Sequence, residues 1–291
     1  MPIWEAILLG IVQGLTEFLP ISSTAHLLLV RQLLGHKTPE DAFTTVIQLG
    51  TLFAVLWYFR ADILHLTRAV LRDFATFRFA STPDSRMAWL IVLGTVPVVV
   101  VGMVAKKWLK GTFYDLPTMA LVAIIFALLM AAAEIWVRVR RDRGLVPIEE
   151  NRIGWKEALW VGCWQVLALM PGASRSGTTI TGGLFAGLDR RAAARFSFLL
   201  SLPAVFGAGV KEMYDEYKLL KHPDGPQGLF ASGDDLIALA VGLVVSGVVG
   251  YVSIAWLLGF LRRYSMAVFV VYRLVLGLTI LALLAAGVVK G

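Results

Sequence analysis

Charged residues and cysteine are both scarce in this chain of 291 residues. Asp, Glu, Lys and Arg make up only 16% of it, and 58% is Ala, Val, Ile, Leu, Met, Phe, Trp, Tyr or Cys. Soluble domains average about 45–50% apolar residues. The single cysteine, Cys163, excludes an intramolecular disulfide and a cysteine-based metal cage. Although the net charge is +7, so apolar a chain fits neither a cytosolic enzyme nor a nucleic-acid-binding module. The composition indicates an integral membrane protein.

Six apolar stretches approach the length of about 20 residues that a membrane-spanning helix needs. They are 43–59, 87–105, 117–137, 193–210, 236–258 and 266–288. Charged or turn-rich connections separate them, the longest of which run from Arg60 to Arg86 and from Lys211 to Asp235. The sequence therefore predicts an all-α, multi-pass membrane protein that forms a single domain over residues 1–291.

Four further apolar segments are too short to cross a membrane, because each has only about 8–13 residues. They are 3–12, 24–34, 157–169 and 178–188. They form two pairs, and a polar segment containing proline joins the members of each pair. This pattern predicts two re-entrant helix hairpins in addition to the six transmembrane helices. The alternative is that 3–34 and 157–188 are complete hairpins that cross the membrane.

The two pairs of short segments resemble each other. Glu5-Ala6, Gly10 and Gln13 recur as Glu157-Ala158, Gly162 and Gln165, all at an offset of 152. Each copy then reaches a proline and a serine-rich turn. We interpret this as a duplication with one repeat over about 1–137 and another over about 153–291. Three predicted spans separate the pairs, so the second pair should enter from the opposite face and the repeats should be inverted.

The distribution of Lys and Arg predicts the orientation of the chain. With both hairpins re-entrant, one side of the membrane carries most of these residues, including the clusters at 138–143, 190–195 and 262–263. The long 211–235 connection weakens this excess without reversing it. The richer side is predicted to be cytoplasmic. Both termini and the mouth of the first hairpin would then lie outside.

Polar residues are concentrated at the tip of the first hairpin, where burial without a function would be costly. They are Gln13, Glu17, Ser22, Ser23, Thr24 and His26. An isolated carboxylate such as Glu17 needs a cation, a metal or a proton in a low dielectric. Gln13 and Glu17 are four residues apart and share a helix face. Ser23 and His26 are three apart, and a hydroxyl beside an imidazole can be activated as a nucleophile. The alternative is ordinary helix capping by the hydroxyls.

The second tip contains an arginine among hydroxyls and free backbone N–H groups. Its sequence is Ser174-Arg175-Ser176-Gly177-Thr178. Such a helix start favours phosphate, and arginine binds phosphate through two N–H groups at once. If the repeats bring both tips together, Arg175 can face Glu17, Ser23 and His26. The alternative is a purely structural Arg175–Glu17 ion pair. For Arg273 and Glu134, an interhelical ion pair is a better interpretation than catalysis.

The residues of both tips resemble the motifs of the undecaprenyl-diphosphate phosphatase family, also known as bacitracin-resistance proteins. The segments 13–27 and 171–177 carry the resemblance, and Val46-Ile47-Gln48-Leu49-Gly50 and Tyr272-Arg273 extend it over nearly the whole chain. The resemblance implies an enzyme of the bacterial inner membrane that removes the terminal phosphate of a C55 polyprenyl diphosphate and so regenerates the carrier lipid for cell-wall synthesis. Bacitracin resistance follows because the antibiotic sequesters the diphosphate.

The resemblance also implies a divalent cation, Mg²⁺ or Ca²⁺, for which Glu17 is the candidate ligand. This sequence departs from the family at two positions that bear on the cation. Gln13 stands where many members have glutamate, and Thr44 stands where some have another acid. Both departures remove carboxylates, which Mg²⁺ prefers. The expected partners are the lipid substrate and membrane lipids, and pairing with a second copy of the chain in a homodimer is left open.

Phosphoryl transfer is the reaction that these residues predict. Ser23 would attack the terminal phosphorus with His26 or Glu17 as the base, while Arg175 holds the diphosphate. A rival hypothesis makes His26 the nucleophile. The predicted substrate-binding residues are Gln13, Ser22, Thr24, Ser174, Ser176, Gly177 and Thr178. Two other classes of protein stay open, a transporter of lipid phosphates or small anions, which would also use inverted repeats, and a structural scaffold.

Overall fold

The computed structural model describes residues 1–36, 42–113, 115–220 and 233–289. The regular elements of these ranges are helices, apart from one isolated bridge between Ile148 and Leu188. The α-helices are α1 Ile3–Phe18, α2 Ser23–Leu33, α3 Ala42–Tyr58, α4 Arg60–Ala75, α5 Pro83–Phe113, α6 Leu116–Asp142, α7 Trp155–Leu167, α8 Arg175–Phe185, α9 Arg190–Leu220, α10 Gly233–Phe260 and α11 Ala267–Ala285. The predicted all-α fold is confirmed.

Five helices of the described residues are long and apolar enough to cross a membrane. They are Pro83–Ala105, Leu116–Asp142, Arg190–Lys211, Asp235–Phe260 and Ala267–Ala285. A sixth candidate is the pair α3 and α4, which bends by 66° between Tyr58 and Arg60. Large apolar side chains on these helices are half exposed or more, among them Val96, Leu121 and Val248. Contact with lipid accounts for so much exposed apolar surface. The chain is therefore a multi-pass membrane protein, as predicted.

The connection predicted between Arg60 and Arg86 differs from the structure, since its first half is helix α4. Three arginines kept this segment out of the apolar windows. Leu64 and Leu71 nevertheless lie two turns apart on one face, and both are exposed. A charged helix with an exposed apolar stripe is typical of a segment at a membrane interface.

The two predicted pairs of short helices are present. α1 and α2 pack against each other, as do α7 and α8. The longest of the four, α1, has 16 residues and is about 24 Å long at ~1.5 Å per residue, less than the ~30 Å of the hydrocarbon core. α1 extends beyond the predicted segment 3–12 to Phe18. Gln13 and Glu17 therefore lie on its last turns instead of in an irregular tip.

Helix positions and backbone geometry support the duplication. Moved by 152 residues, α2 coincides with α8 at both ends. Ser22 and Ser174, which precede these helices at equivalent positions, have φ angles of 75° and 69°. Positive φ is rare outside glycine, so its recurrence indicates a shared local design. The bounds of the repeats and their inversion stay predictions.

The first helix of each repeat packs against a long helix of the other repeat, and this crossing brings the two tips together. α1 packs along α10, and its equivalent α7 packs along α5. Glycines allow both crossings, because a Cβ on Gly10 would lie 2.8 Å from the carbonyl oxygen of Gly242 and one on Gly162 would lie 2.2 Å from that of Gly94. The largest buried apolar cluster joins the end of α1 to α8 and α9, with Phe18 and Phe198 in edge-to-face contact at 5.8 Å.

Candidate active site

Glu17 lies where the two hairpin tips meet. Its Oε1 accepts a hydrogen bond from Arg175 Nη2 at 2.8 Å. Its Oε2 accepts from Ser23 Oγ at 2.8 Å and from Gln13 Nε2 at 3.1 Å. The side chains of Glu17 and Arg175 are about one-fifth exposed. The structure thus brings a cation, a carboxylate and a hydroxyl together from the two tips, as the duplication predicted.

Gln13 is fully buried and fixes the carboxylate from the α1 side. Its amide nitrogen also lies 3.3 Å from Thr51 Oγ1, and Thr51 in turn donates to the carbonyl oxygen of Gln48 at 2.7 Å. Gln13 and Glu17 therefore share a helix face as predicted. Thr51 was missed, since nothing in the sequence indicated which residue of α3 would face Gln13.

The predicted pairing of Ser23 with His26 is wrong. Ser23 donates to Glu17, whereas His26 Nδ1 lies 2.6 Å from the carbonyl oxygen of Ser22 and His26 Nε2 lies 2.7 Å from Tyr272 Oη. The carbonyl can only accept, so Nδ1 carries a proton, and in a neutral ring Nε2 accepts from Tyr272. The imidazole is thus held by a carbonyl of its own tip and by a tyrosine of α11.

Hydroxyls of the second tip hold its backbone in place. Ser174 Oγ caps α8 by accepting from the Gly177 N–H at 3.2 Å, and it lies 3.3 Å from Ser176 Oγ. Ser176 donates to the carbonyl oxygen of Leu19 at 3.1 Å, which ties the second tip to the first. Thr178 donates to the carbonyl oxygen of Arg175 at 2.9 Å. Ser174, Ser176, Gly177 and Thr178 are all buried.

The structure therefore gives the predicted substrate-binding residues different positions. Thr24 is partly exposed at the start of α2. Ser22 is buried and contributes its carbonyl to His26. The side chains of Gln13, Ser174, Ser176 and Thr178 form hydrogen bonds inside the protein. Gly177 is closely packed, because a Cβ atom placed on it would lie 3.1 Å from Arg273 Nη1. Their role as substrate ligands stays a prediction.

Arg273 anchors both tips and was not identified from the sequence as part of the site. It is fully buried on α11. It donates to the carbonyl oxygens of Pro20 in the first tip and of Gly172 and Ala173 in the second, at 2.9–3.3 Å. A fourth bond of 3.2 Å reaches the carbonyl oxygen of Ala123 on α6. The sequence did contain a signal, namely an arginine inside the predicted span 266–288, because charged residues within membrane spans mark functional sites.

The interhelical ion pair predicted for Glu134 is present, but its partner is Arg190 at the start of α9, and a pair with Arg273 is wrong. Glu134 accepts from Arg190 at 3.0 Å and from the Met266 N–H at 2.7 Å. Arg273 instead contacts α6 at Ala123, three turns away from Glu134. That separation is about 16 Å along a helix, too far for an ion pair.

A cavity of about 210 Å³ opens beside Glu17 and Arg175. Apart from Gln48 and Gln165, its other walls are small or aliphatic: Leu49, Leu52, Val98, Ala168, Leu169, Ala204, Val205 and Gly209. A polar end joined to an aliphatic wall suits an amphiphile with an anionic head group. The cavity residues come from α3, α5, α7 and α9 in addition to the two tips.

The donor set does not fit a resident divalent cation. Glu17 is the one acidic side chain among the described residues that line the cavity, and both of its oxygens already accept hydrogen bonds. No group of three or more His, Cys, Asp or Glu side chains that could hold a metal occurs in the described part of the chain. Glu17 would have to give up a bond to Arg175, Ser23 or Gln13 to bind a cation.

Fold and site together define a class of protein, a multi-pass helical membrane protein in which an Arg–Glu pair with a serine lies between two short hairpins. The family model described as "Bacitracin resistance protein BacA" matches residues 6–279. The chain belongs to this family.

Curated relatives match over at least 98% of their length. The undecaprenyl-diphosphatase of Chloroherpeton thalassium is 51% identical over 99% of this chain and 98% of its own. The undecaprenyl-diphosphatase of Prosthecochloris aestuarii is 48% identical over all of both chains. The undecaprenyl-diphosphatase of Chlorobium phaeobacteroides strain BS1 is 49% identical over 99% of each.

Proposed function

We propose that this protein is an undecaprenyl-diphosphatase, a hydrolase that removes the terminal phosphate from the C55 polyprenyl diphosphate. One observation carries the proposal, namely that Glu17 accepts hydrogen bonds from both Ser23 and Arg175 at the polar end of an aliphatic cavity. Full-length similarity to curated undecaprenyl-diphosphatases supports the same activity. Bacitracin resistance is part of the family's description.

Arg175 is the group that would bind the diphosphate. A guanidinium has five N–H donors, and Glu17 takes one of them through Nη2. The others can bind phosphate oxygens and stabilise the charge of the transferring group. The aliphatic walls of the cavity suit the first isoprene units of the tail.

Ser23 is the proposed nucleophile and Glu17 the proposed base. Ser23 Oγ attacks the terminal phosphorus while its proton passes to Glu17, 2.8 Å away. The bond from that phosphorus to the bridging oxygen breaks, and the polyprenyl monophosphate leaves. Water then attacks the phosphorus of the phosphoserine, and the bond from phosphorus to Ser23 Oγ breaks. Ser23 recovers its proton from Glu17, and inorganic phosphate and the second proton of the water leave for solvent. His26 is the weaker candidate, because both of its ring nitrogens are engaged by other groups.

The cation expected from the resemblance belongs, on this proposal, to the substrate. Mg²⁺ or Ca²⁺ would enter with the diphosphate, where it would neutralise phosphate charge, and Glu17 is the protein carboxylate nearest to it on this proposal. EDTA should then lower the rate most at limiting Mg²⁺, and the Mg²⁺ concentration for half-maximal rate should depend on the substrate concentration. With a metal site built into the protein, the Mg²⁺ concentration for half-maximal rate would not change with the substrate concentration.

The proposed location is the inner membrane of a bacterium, with the site open to the outer face and both termini outside. The excess of Lys and Arg on the opposite side supports this orientation. A site facing outwards would recycle carrier lipid released during wall synthesis and would compete with bacitracin for the diphosphate. A homodimer in the membrane is a further proposal.

Phosphate release from a polyprenyl diphosphate by the purified protein in detergent tests the activity. We expect wild type to turn over and Ser23→Ala and Arg175→Ala each to lose at least a hundredfold in rate, because the variants lose the nucleophile and the main phosphate-binding cation. Ser253→Ala and Arg262→Ala are matched controls, since Ser253 bonds only within α10 and Arg262 is exposed. No release by folded wild type supplied with lipid would contradict the proposal and favour a transporter, which shows no turnover without a second compartment.

A further inference from the structure

Gln165 on α7 is a buried carboxamide with no hydrogen-bond partner among the described residues. The residue is 1% exposed. Its Oε1 is buried and accepts no hydrogen bond, and nothing in the described part of the chain is bonded to its amide nitrogen either. Leaving a buried polar group unsatisfied is costly, so such a residue calls for a partner that the polypeptide does not supply.

The cavity beside Glu17 is where that partner could bind, since Gln165 lines it together with Glu17 and Arg175. Its other lining residues are mostly apolar. Among the described residues that line this cavity, Gln165 is therefore a buried polar side chain that is available to a ligand near the predicted position of the diphosphate.

The duplication explains why the amide nitrogen of Gln165 is unengaged, whereas Oε1 lacks a partner in Gln13 as well. Its equivalent in the first repeat is Gln13, whose amide nitrogen contacts Glu17 and Thr51. The residues equivalent to these two partners, again 152 positions later, are Leu169 and Pro203. Neither side chain can form a hydrogen bond. The second repeat thus keeps the glutamine and lacks both of the groups that hold it in the first.

We propose that Gln165 is a further substrate-binding residue, whose amide N–H donates to a phosphate oxygen of the diphosphate held by Arg175. This inference rests on the proposed function of the same site. Phosphate oxygens accept hydrogen bonds, and a half-turn of the terminal amide presents its N–H₂ where the oxygen stands. Gln13 thus positions the carboxylate of Glu17 from the first repeat, and Gln165 binds the substrate from the second.

The variant Gln165→Leu tests the proposal, because leucine is close in size and cannot donate. We expect the KM for polyprenyl diphosphate to rise about ten- to a hundredfold, the range for losing a hydrogen bond to a charged group, while kcat changes less. The melting temperature without substrate should stay the same or rise, since an unsatisfied buried amide has been removed. Gln165→Glu should raise KM further by repelling the diphosphate. Thr95→Val, a buried change on α5, is the control.

Thermal stabilisation by inorganic diphosphate gives a readout that needs no turnover. Wild type should be stabilised and Gln165→Leu much less so. Wild type that releases phosphate, with an unchanged KM and an unchanged thermal shift in Gln165→Leu, would overturn this inference and leave the activity standing. A thermal shift that depends on Gln165 in a protein that releases no phosphate would retain the binding residue and refute the phosphatase. Lower melting temperatures in both Gln165 variants would make the residue structural and also overturn the inference.

Discussion

Three donors surround the carboxylate of Glu17, one each from Arg175, Ser23 and Gln13. Their bonds offset part of the cost of keeping a charge inside the helical bundle. The bond to Arg175 alone would satisfy the structural interpretation of this ion pair. The additional bond from Ser23 goes beyond it, because a hydroxyl that donates to a carboxylate is placed to lose its proton there.

Glu17→Gln should lower kcat by about 10²–10⁴, the usual contribution of a general base. The substitution keeps the shape of the side chain and removes its ability to take the Ser23 proton. Phosphate release at saturating substrate measures the effect. Glu5→Gln is the matched control on the same helix, since Glu5 pairs with His36 at 3.3 Å outside the site. A kcat within a few fold of wild type in Glu17→Gln would rule out Glu17 as the base.

The hairpin tips are the elements on which the site depends, and neither tip forms it alone. Ser176 reaches across to the Leu19 carbonyl, and Arg273 binds carbonyls of both tips from α11. Main-chain carbonyls at the ends of short helices lack partners within the helix. A single buried arginine therefore satisfies several such groups and fixes the distance between Glu17 and Arg175.

Arg273→Met should destabilise the protein and reduce its rate together, because several buried carbonyls lose their donor at about 1–3 kcal/mol for each group left unsatisfied. Thermal unfolding in detergent and phosphate release measure the two effects. Arg273→Lys should recover part of the stability, since an ammonium can still bind some of the carbonyls. Arg262→Met, at an exposed arginine, should change neither quantity. Normal melting in Arg273→Met would refute the anchoring role.

At the scale of the whole molecule, apolar length and internal similarity made the helical membrane fold predictable. The duplication of the two hairpins also predicted that Glu17 and Arg175 would meet. The partners of His26 and Arg273 were not predictable, because Tyr272 lies 246 residues from His26 and the carbonyls that Arg273 binds belong to irregular turns. Helix α4 was not predicted, because its arginines interrupt the apolar pattern.

Labelling of single cysteines in intact cells tests the predicted orientation. In a Cys163→Ser background, His36→Cys should react with a membrane-impermeant maleimide and Arg141→Cys should react only after the membrane is opened. His36 follows α2 on the predicted outer side, and Arg141 ends α6 on the side rich in Lys and Arg. The reverse pattern would place the site on the cytoplasmic face.

The covalent intermediate is the most direct test of the central claim, that Ser23 attacks the diphosphate with Glu17 as its base. Acid-quenched and neutral-quenched turnovers of wild type with a polyprenyl diphosphate labelled in its terminal phosphate would be digested and the labelled peptide sequenced by mass spectrometry. The account predicts acid-stable phosphoserine at Ser23, absent from Ser23→Ala and reduced in Glu17→Gln. Label that is lost in acid and maps to His26 would contradict it and make the imidazole the nucleophile.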